Sequence, residues 1–345
     1  MNTFQCTSSR TSSRTSFRTS FLGKYVMASA AMAALAATAP ARAQSDVYPS
    51  RPITIVVPVA PGSNGDLIAR QIAPVLSKSM GVPVVVDNKA GAASSIGATA
   101  VAQAKPDGYT LLLAPTPALS VNQWLYKKLS YNPEKDFVAV VAAASTPNML
   151  LVHPSVPAKN LAELIALAKA KPNDITYASG GNGTTHHLCG ELLKTRAGIN
   201  LTHVPYKSPA PALQDVLAGR VSMMCENFSS ALTHVKAGTL RPIALTARQR
   251  QPQAQDIATA HESGLPDFEV GVWFGFVAPV GTPAAIVKRL NTEIGQALRD
   301  AAVAQRLEGS GLTVLADTPE SFARFIESES SKWRKVVETS GAQID

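Results

Sequence analysis

The chain has 345 residues, 46% of them apolar and 16% charged, with a formal net charge of +8. That length accommodates two domains of ordinary size, and that balance excludes a disordered chain or a coiled coil.

The first 43 residues read as a leader. Residues 1–24 carry Arg10, Arg14, Arg18 and Lys24 and no acid. Residues 25–39 are apolar and uncharged, and Ala41-Arg42-Ala43 fits a small-x-small cleavage site. This is the grammar of a secretory signal peptide cut after Ala43. A membrane anchor needs about 20 strongly apolar residues, and this run is shorter and mostly alanine. A transit peptide shares the Arg/Ser-rich composition but leaves the apolar run and the cleavage site unexplained. The expectation is export to the periplasm. Loss of the leader removes Cys6 and five basic residues, leaving 27 basic against 24 acidic, a net of +3. No basic stripe remains, so nucleic acid is not an expected partner. Cys189 and Cys225 would then sit where a disulfide persists. Two buried free thiols are the expected state, because free cysteine is commonly buried.

The remaining chain alternates strand-like and helix-like runs. Residues 53–59, ITIVVPV, form a short β-branched run suited to a buried parallel strand. A Gly-rich turn and a helix over 66–80 follow, then a strand at 83–88, a helix at 95–104 and a strand at 110–114. This β-α-β-α-β order predicts a parallel sheet with right-handed crossovers. The pattern recurs: a helix at 160–171, a strand at 175–179, a helix at 185–197, a strand at 201–206, a helix at 211–218, and strands at 221–227 and 241–247. Helices over 283–301 and 319–339 close the chain. Pro74 is expected to kink the first helix. Two long apolar stretches, 137–154 and 268–283, break the rhythm. They are expected to pair and to cross between two α/β domains. Domain one is then 46–148 plus 274–345 and domain two is 149–273, with a hinged cleft between them.

Two loops carry the candidate chemistry. Ala60 to Asp66 links a strand to a helix, with Gly62 and Gly65 permitting close approach and Ser63 and Asn64 offering hydrogen bonds. The free N–H groups and dipole of the helix start attract anions. Asp66 reads as a cap or first-turn acid. Ser179 to His187 has the same grammar in the second predicted domain. Neither loop contains Lys or Arg, so binding would rest on backbone amides, hydroxyls and bridging water. Two such loops suit a ligand with carboxylates at both ends. Enzyme signatures are missing: there is no phosphate loop, no complete dinucleotide fingerprint and no nucleophile elbow. His186, His187, Cys189 and Glu191 form the one metal-like cluster, without the spacing of known ligand sets. No metal and no cofactor is expected. One of the two histidines is expected to line the cleft and the other to be a surface or helix-start residue.

The sequence resembles the substrate-binding receptors of tripartite tricarboxylate transporters, the Bug-type extracytoplasmic receptors, over essentially the whole chain after the leader. Pro58 to Asp66 is similar to the family's P-x-x-P-G-G-x-x-D segment, with Ser63 for the second glycine. Residues 88–92 resemble its N-[RK]-x-G-A turn. Tyr177 to Glu191 resembles Y-x-S-x-G-x-G-[ST]-x-x-H-L-x-G-E, and Val204 to Lys207 resembles V-P-Y-[KR]. Trp273 to Pro279 with Gly281 to Pro283 resembles W-x-G-x-x-A-P-x-G-T-P. The resemblance implies a type II periplasmic-binding fold without a cofactor, the carboxylate being held by the two loops partly through water. Carried over, it nominates Pro61, Gly62, Ser63, Asn64, Gly65, Asp66, Thr116, Gly181, Asn182, Gly183, Thr184 and Thr185, and then His187, Tyr206, Glu226 and Asn227. Departures are Ser208-Pro209-Ala210 where Gly-Gly usually follows the basic residue, Glu226 where Asp is common, and residues 254–264 in place of P-D-x-P-T. The expected function is a monomeric receptor that gives a small carboxylate to membrane permease subunits. A sensor signalling to a membrane kinase, and a metal-assisted hydrolase using His187 and Glu191, are the alternatives.

Overall fold

The computed structural model describes residues 48–344. The leader and its cleavage point lie outside the described residues. In chain order the elements are β1 (Ile53–Val57), α1 (Asn64–Met80), β2 (Val84–Asn88), α2 (Ser95–Ala102), β3 (Thr110–Pro115), α3 (Asn122–Leu125) and β4 (Phe137–Val152). There follow α4 (Leu161–Ala170), β5 (Thr176–Ser179), α5 (Thr185–Ala197), β6 (Thr202–Pro205), α6 (Pro209–Leu217), β7 (Met223–Asn227), α7 (Phe228–Lys236) and β8 (Arg241–Leu245). The last are β9 (Gly271–Pro279), α8 (Ala284–Arg299), α9 (Ala301–Gly309), β10 (Thr313–Val314) and α10 (Pro319–Ser340).

Two parallel groups share one logic. In the first, β1 lies between β2 and β3 with all three parallel. Ile53, Ile55 and Val57 pack with Ile68, Ile72 and Leu76 of α1 in one buried cluster. In the second, β5 lies between β6 and β7, again all parallel. Tyr177 packs there with Leu188, Leu192 and Leu193 of α5. In both groups short apolar strands, covered by helices, bury their faces.

The sheet as a whole is mixed, where the sequence predicted a parallel one. Its order is β2-β1-β3-β9-β4-β7-β5-β6, with β8 and β10 also on β4. The antiparallel members are the two long stretches. β4 runs opposite to β9 from Phe137 to Pro147, then opposite to β7 from Asn148 to Val152. β9 in turn runs opposite to β3. A strand that carries the chain from one parallel group into the other has no crossover helix, so it enters antiparallel. The β4–β9 register shifts twice, between Ala139 and Val141 and between Ala142 and Ala144. Such bulges bend a strand.

Pro74 lies inside α1, which runs on past it to Met80. One further expectation changes. Cys189 and Cys225 are not free thiols but a disulfide with a Cα–Cα distance of 6.2 Å, joining α5 to β7. Their separation of 36 positions hid a contact that only the packing of α5 on β7 creates. No helix among the described residues is long and apolar enough to cross a membrane.

Candidate ligand cleft

A cavity of about 610 Å³ opens at the carboxyl ends of the strands. This is where α/β sheets place ligands, because crossover loops and helix starts converge there. Its wall takes Pro58 to Ala60, Gly62, Ser63 and Asn64 from the loop after β1, Ala90, Gly91, Ala93 and Ser94 from the segment after β2, and Pro115 and Pro117 from the end of β3. Thr184, Thr185, His186, Pro209, Asn227, Ser229 and Ser230 come from the second parallel group, and Val272 and Phe274 from β9. No Lys or Arg is among these described lining residues. A second cavity, of about 460 Å³, lies around Trp273, Phe325 and Glu329, and it lacks such converging helix starts.

The first loop is built around a buried anion. Ser63 caps α1, its Oγ accepting the Asp66 N–H at 3.5 Å. Asp66 accepts the Gly62 N–H at 2.9 Å, Arg70 Nε at 2.9 Å and Asn88 Nδ2 at 3.0 Å. Burial opposes ionisation of this carboxyl, but Arg70, the Gly62 amide and Asn88 outweigh it and hold its pKa below the usual carboxylate value. Asp66 therefore fixes the loop from behind. The N–H groups of Asn64 and Gly65, which no intrahelical carbonyl can reach, are left at the helix start.

The second loop is built from neutral groups. Thr184 caps α5: its Oγ1 donates to the Gly181 carbonyl at 2.7 Å and accepts the His187 N–H at 3.4 Å. His187 Nδ1 accepts the Gly183 N–H at 3.2 Å, so in the neutral ring the proton sits on Nε2. The His203 ring lies tilted against His187, with centroids 4.4 Å apart, and its Nε2 is 2.7 Å from Ser179 Oγ, which accepts the Gly181 N–H at 3.1 Å. Burial pushes both imidazoles below their ordinary pKa, His203 down to about 4, with His187 beside it adding to that shift.

The sequence candidates divide by position. Gly62, Ser63, Asn64, Thr184, Thr185 and Asn227 line the cavity. Glu226 is buried next to it, with Oε1 at 3.5 Å from His186 Nε2. The others sit elsewhere. Pro61 and Asn182 are exposed, and Gly65 is packed against Val59 and Phe274. Gly183 faces Leu125, and Gly181 lies near the Tyr206 carbonyl. Thr116 is fully buried, its Oγ1 accepting the Trp273 N–H at 2.9 Å and so tying β3 to β9. The Tyr206 hydroxyl donates to Asp215 at 2.6 Å; loss of solvent around the phenol, and then this bond to a carboxylate, push it up to about 12. Of the two histidines, His186 lines the cavity, and His187 lies behind it. Adjacent residues on a helix point about 100° apart, and which one turns inward depends on where the helix starts. His187 and Glu191 are both engaged by the protein: Glu191 accepts the Tyr177 hydroxyl at 2.5 Å and Lys194 Nζ at 2.9 Å. No group of three or more metal-ligating side chains occurs among the described residues.

Sequence reasoning missed several wall residues. Ser229 and Ser230 belong to α7, an element not anticipated although Asn227 precedes it and Gly238 follows it. The segment Ala92 to Ser94 was also missed. All three residues have positive φ, at 46°, 47° and 76°. Non-glycine residues resist that conformation at roughly 1–2 kcal/mol each. Asn122 Nδ2 holds the segment by donating to the Ala93 carbonyl at 2.9 Å.

Comparison with known proteins agrees with this geometry. The family model described as "Tripartite tricarboxylate transporter family receptor" matches residues 68–342. The chain belongs to that receptor family. The UPF0065 protein of the tcbD-tcbE intergenic region of a Pseudomonas species is 40% identical, over 87% of this chain and 90% of that protein. Protein BugT of Bordetella pertussis is 37% identical, over 87% of this receptor and 92% of BugT. Among solved structures, R. palustris Rpa4515 with adipate is similar at a TM-score of 0.78 and 36% identity, covering 86% of the receptor and 100% of that chain. MatC from Rhodopseudomonas palustris with bound malate is similar at 0.75 and 34%, covering 84% and 100%. The fold is that of the two-domain periplasmic binding proteins.

Proposed function

We propose that the receptor is exported to the periplasm, its leader being removed after Ala43, and that as a monomer it captures a small organic carboxylate for the permease subunits of a tripartite transporter. The observation that carries this reading is the convergence of two helix starts on one cavity. Asn64 and Gly65 begin α1 in one parallel group, and Thr185 and His186 begin α5 in the other. Unpaired N–H groups at helix starts attract carboxylates without a basic side chain. The related structures with adipate and with bound malate support the same ligand class. The rest of the machinery is a binding device, with no catalytic role assigned to any residue.

The two domains are 46–148 with 274–345, and 149–273. The hinge lies where β4 and β9 pass between them, at Pro147-Asn148 and Val270-Gly271. Pro147 faces Gly271 in the last β4–β9 pair, and the Asn148 N–H donates to the Val270 carbonyl at 3.0 Å. A ligand that touches both helix starts favours the closed arrangement by its differential affinity. The test is a thermal-shift screen of protein purified from the periplasm against carboxylates. A matching acid at about 100 times its dissociation constant stabilises by about 2.7 kcal/mol. No shift with any acid sinks the carboxylate assignment. A mass that retains residues 1–43 sinks the cleavage.

A further inference from the structure

The polar end of the cleft is formed by the first turn of α5 and the end of β7. His186, 4% exposed, forms part of the wall. Glu226, 3% exposed, has Oε1 at 3.5 Å from His186 Nε2, in contact but not aligned as a hydrogen bond. The same Oε1 accepts the Asn227 N–H at 2.8 Å, which places a protein carboxylate at the start of α7. The Cys189–Cys225 disulfide holds α5 and β7 together close to this point.

Four buried atoms there have no hydrogen-bond partner: both ring nitrogens of His186, Glu226 Oε2 and Asn227 Oδ1. Buried polar groups are ordinarily paired, so this cluster is built to meet something else. Donor and acceptor counting says what. A carboxylate oxygen and an amide oxygen only accept. A neutral imidazole adds one acceptor and one donor, giving three acceptors against one donor. An imidazolium gives two donors against two acceptors, an even count. With the ring neutral, the side-chain acceptors are in excess.

We propose that this end of the cleft receives a hydrogen-bond donor, so that the ligand is a monocarboxylic acid with an amino, carboxamide or hydroxyl group at its far end. This rests on the carboxylate-receptor reading and narrows it. A second ionised carboxylate would meet Glu226 at α7's start, like charge against like, in a site already rich in acceptors. Elsewhere the wall includes Pro58, Val59, Val272 and Phe274, apolar surface suited to a hydrocarbon or aromatic body.

The experiment is calorimetric titration of the purified receptor with two matched series. One is hexanoate, adipate, 6-aminohexanoate and adipic monoamide; the other is benzoate, terephthalate, 4-aminobenzoate and 4-hydroxybenzoate. In the series that fits, a donor-bearing acid binds at least about tenfold tighter than the diacid and the plain acid, the scale of one charge-assisted hydrogen bond. Glu226→Gln, whose amide supplies donors of its own, reduces that preference at least about tenfold. A diacid or plain acid that binds as tightly as the donor-bearing acids overturns the proposal and leaves the receptor reading standing. A preference unchanged in a folded Glu226→Gln protein also overturns it. If that variant does not fold, the wild-type series decides. Failure of every acid to bind removes the carboxylate reading itself, and the proposal falls with it.

Discussion

The two loops that flank the cleft do the same geometric task with opposite chemistry. The loop after β1 is braced by an anion, Asp66, held by Arg70, Asn88 and the Gly62 amide. The loop after β5 is braced by neutral imidazoles, with His187 accepting the Gly183 N–H and His203 beside Ser179. Each presents a helix start to the same cavity. The difference teaches that helix starts facing a cavity without basic residues still need a rigid backing. The backing can be charged where an exposed arginine is at hand, and is uncharged where the surroundings are buried.

The backbone permits a matched test, because Gly62 and Gly183 have the same φ of 81°. A Cβ on Gly183 would lie 2.2 Å from Leu125 Cδ2. Gly183→Ala therefore combines left-handed strain with overpacking. The expected loss is about 2–5 kcal/mol in urea denaturation. An effect under about 1 kcal/mol would mean that the second loop is soft, contrary to its packing.

Asp66→Asn comes next. It keeps the shape but removes the charge that three donors share, and each hydrogen bond to a charged group is worth about 1.5–3 kcal/mol. Because Arg70 is exposed, the lower end is expected. Stability unchanged in this variant would show that the first loop does not need its anion.

Acid separates the two braces by pH window. The folded pKa values of His187 and His203 lie below their ordinary 6.5, so the unfolded chain takes up protons first and stability falls as pH drops from about 6.5 towards 4. The folded pKa of Asp66 lies below its ordinary 3.8, so its contribution is present above that value and is lost only as pH falls further. Melting curves from pH 7 to pH 3 should show a decline in both windows. Asp66→Asn should keep the upper decline and flatten the lower one. A single decline below pH 4 would contradict the neutral state of the imidazoles.

Much of this was readable in the sequence, for physical reasons. The α5 limits follow from the Thr184 cap and the left-handed Gly198, both local signals. The strand, turn and helix around Gly62 are likewise local. What was not readable depends on direction or distance. The disulfide joins residues 36 apart, and the inward turn of His186 rather than His187 follows from the angular start of α5. The positive φ values of Ala92 to Ser94 have no glycine to announce them; they are held by Asn122, which comes from another element. The antiparallel entry of β4 and β9 shows only once both parallel groups are assembled.

The smallest expected effect is the sharpest control. A Cβ on Gly62 meets nothing within 4 Å, although the residue lines the cavity. Gly62→Ala carries the left-handed strain alone, about 1–2 kcal/mol, because the first loop leaves open space where the second has Leu125. Its methyl group stands where a ligand approaches the α1 start, so affinity for a bound carboxylate should fall about tenfold or more while the melting temperature moves by only a few degrees. Gly183→Ala should reverse that ratio, with stability falling first and affinity only through loosening of the loop. Equal loss of stability in the two variants would mean that the first loop is as tightly packed as the second, and the contrast between an open anionic brace and a buried neutral one would fail.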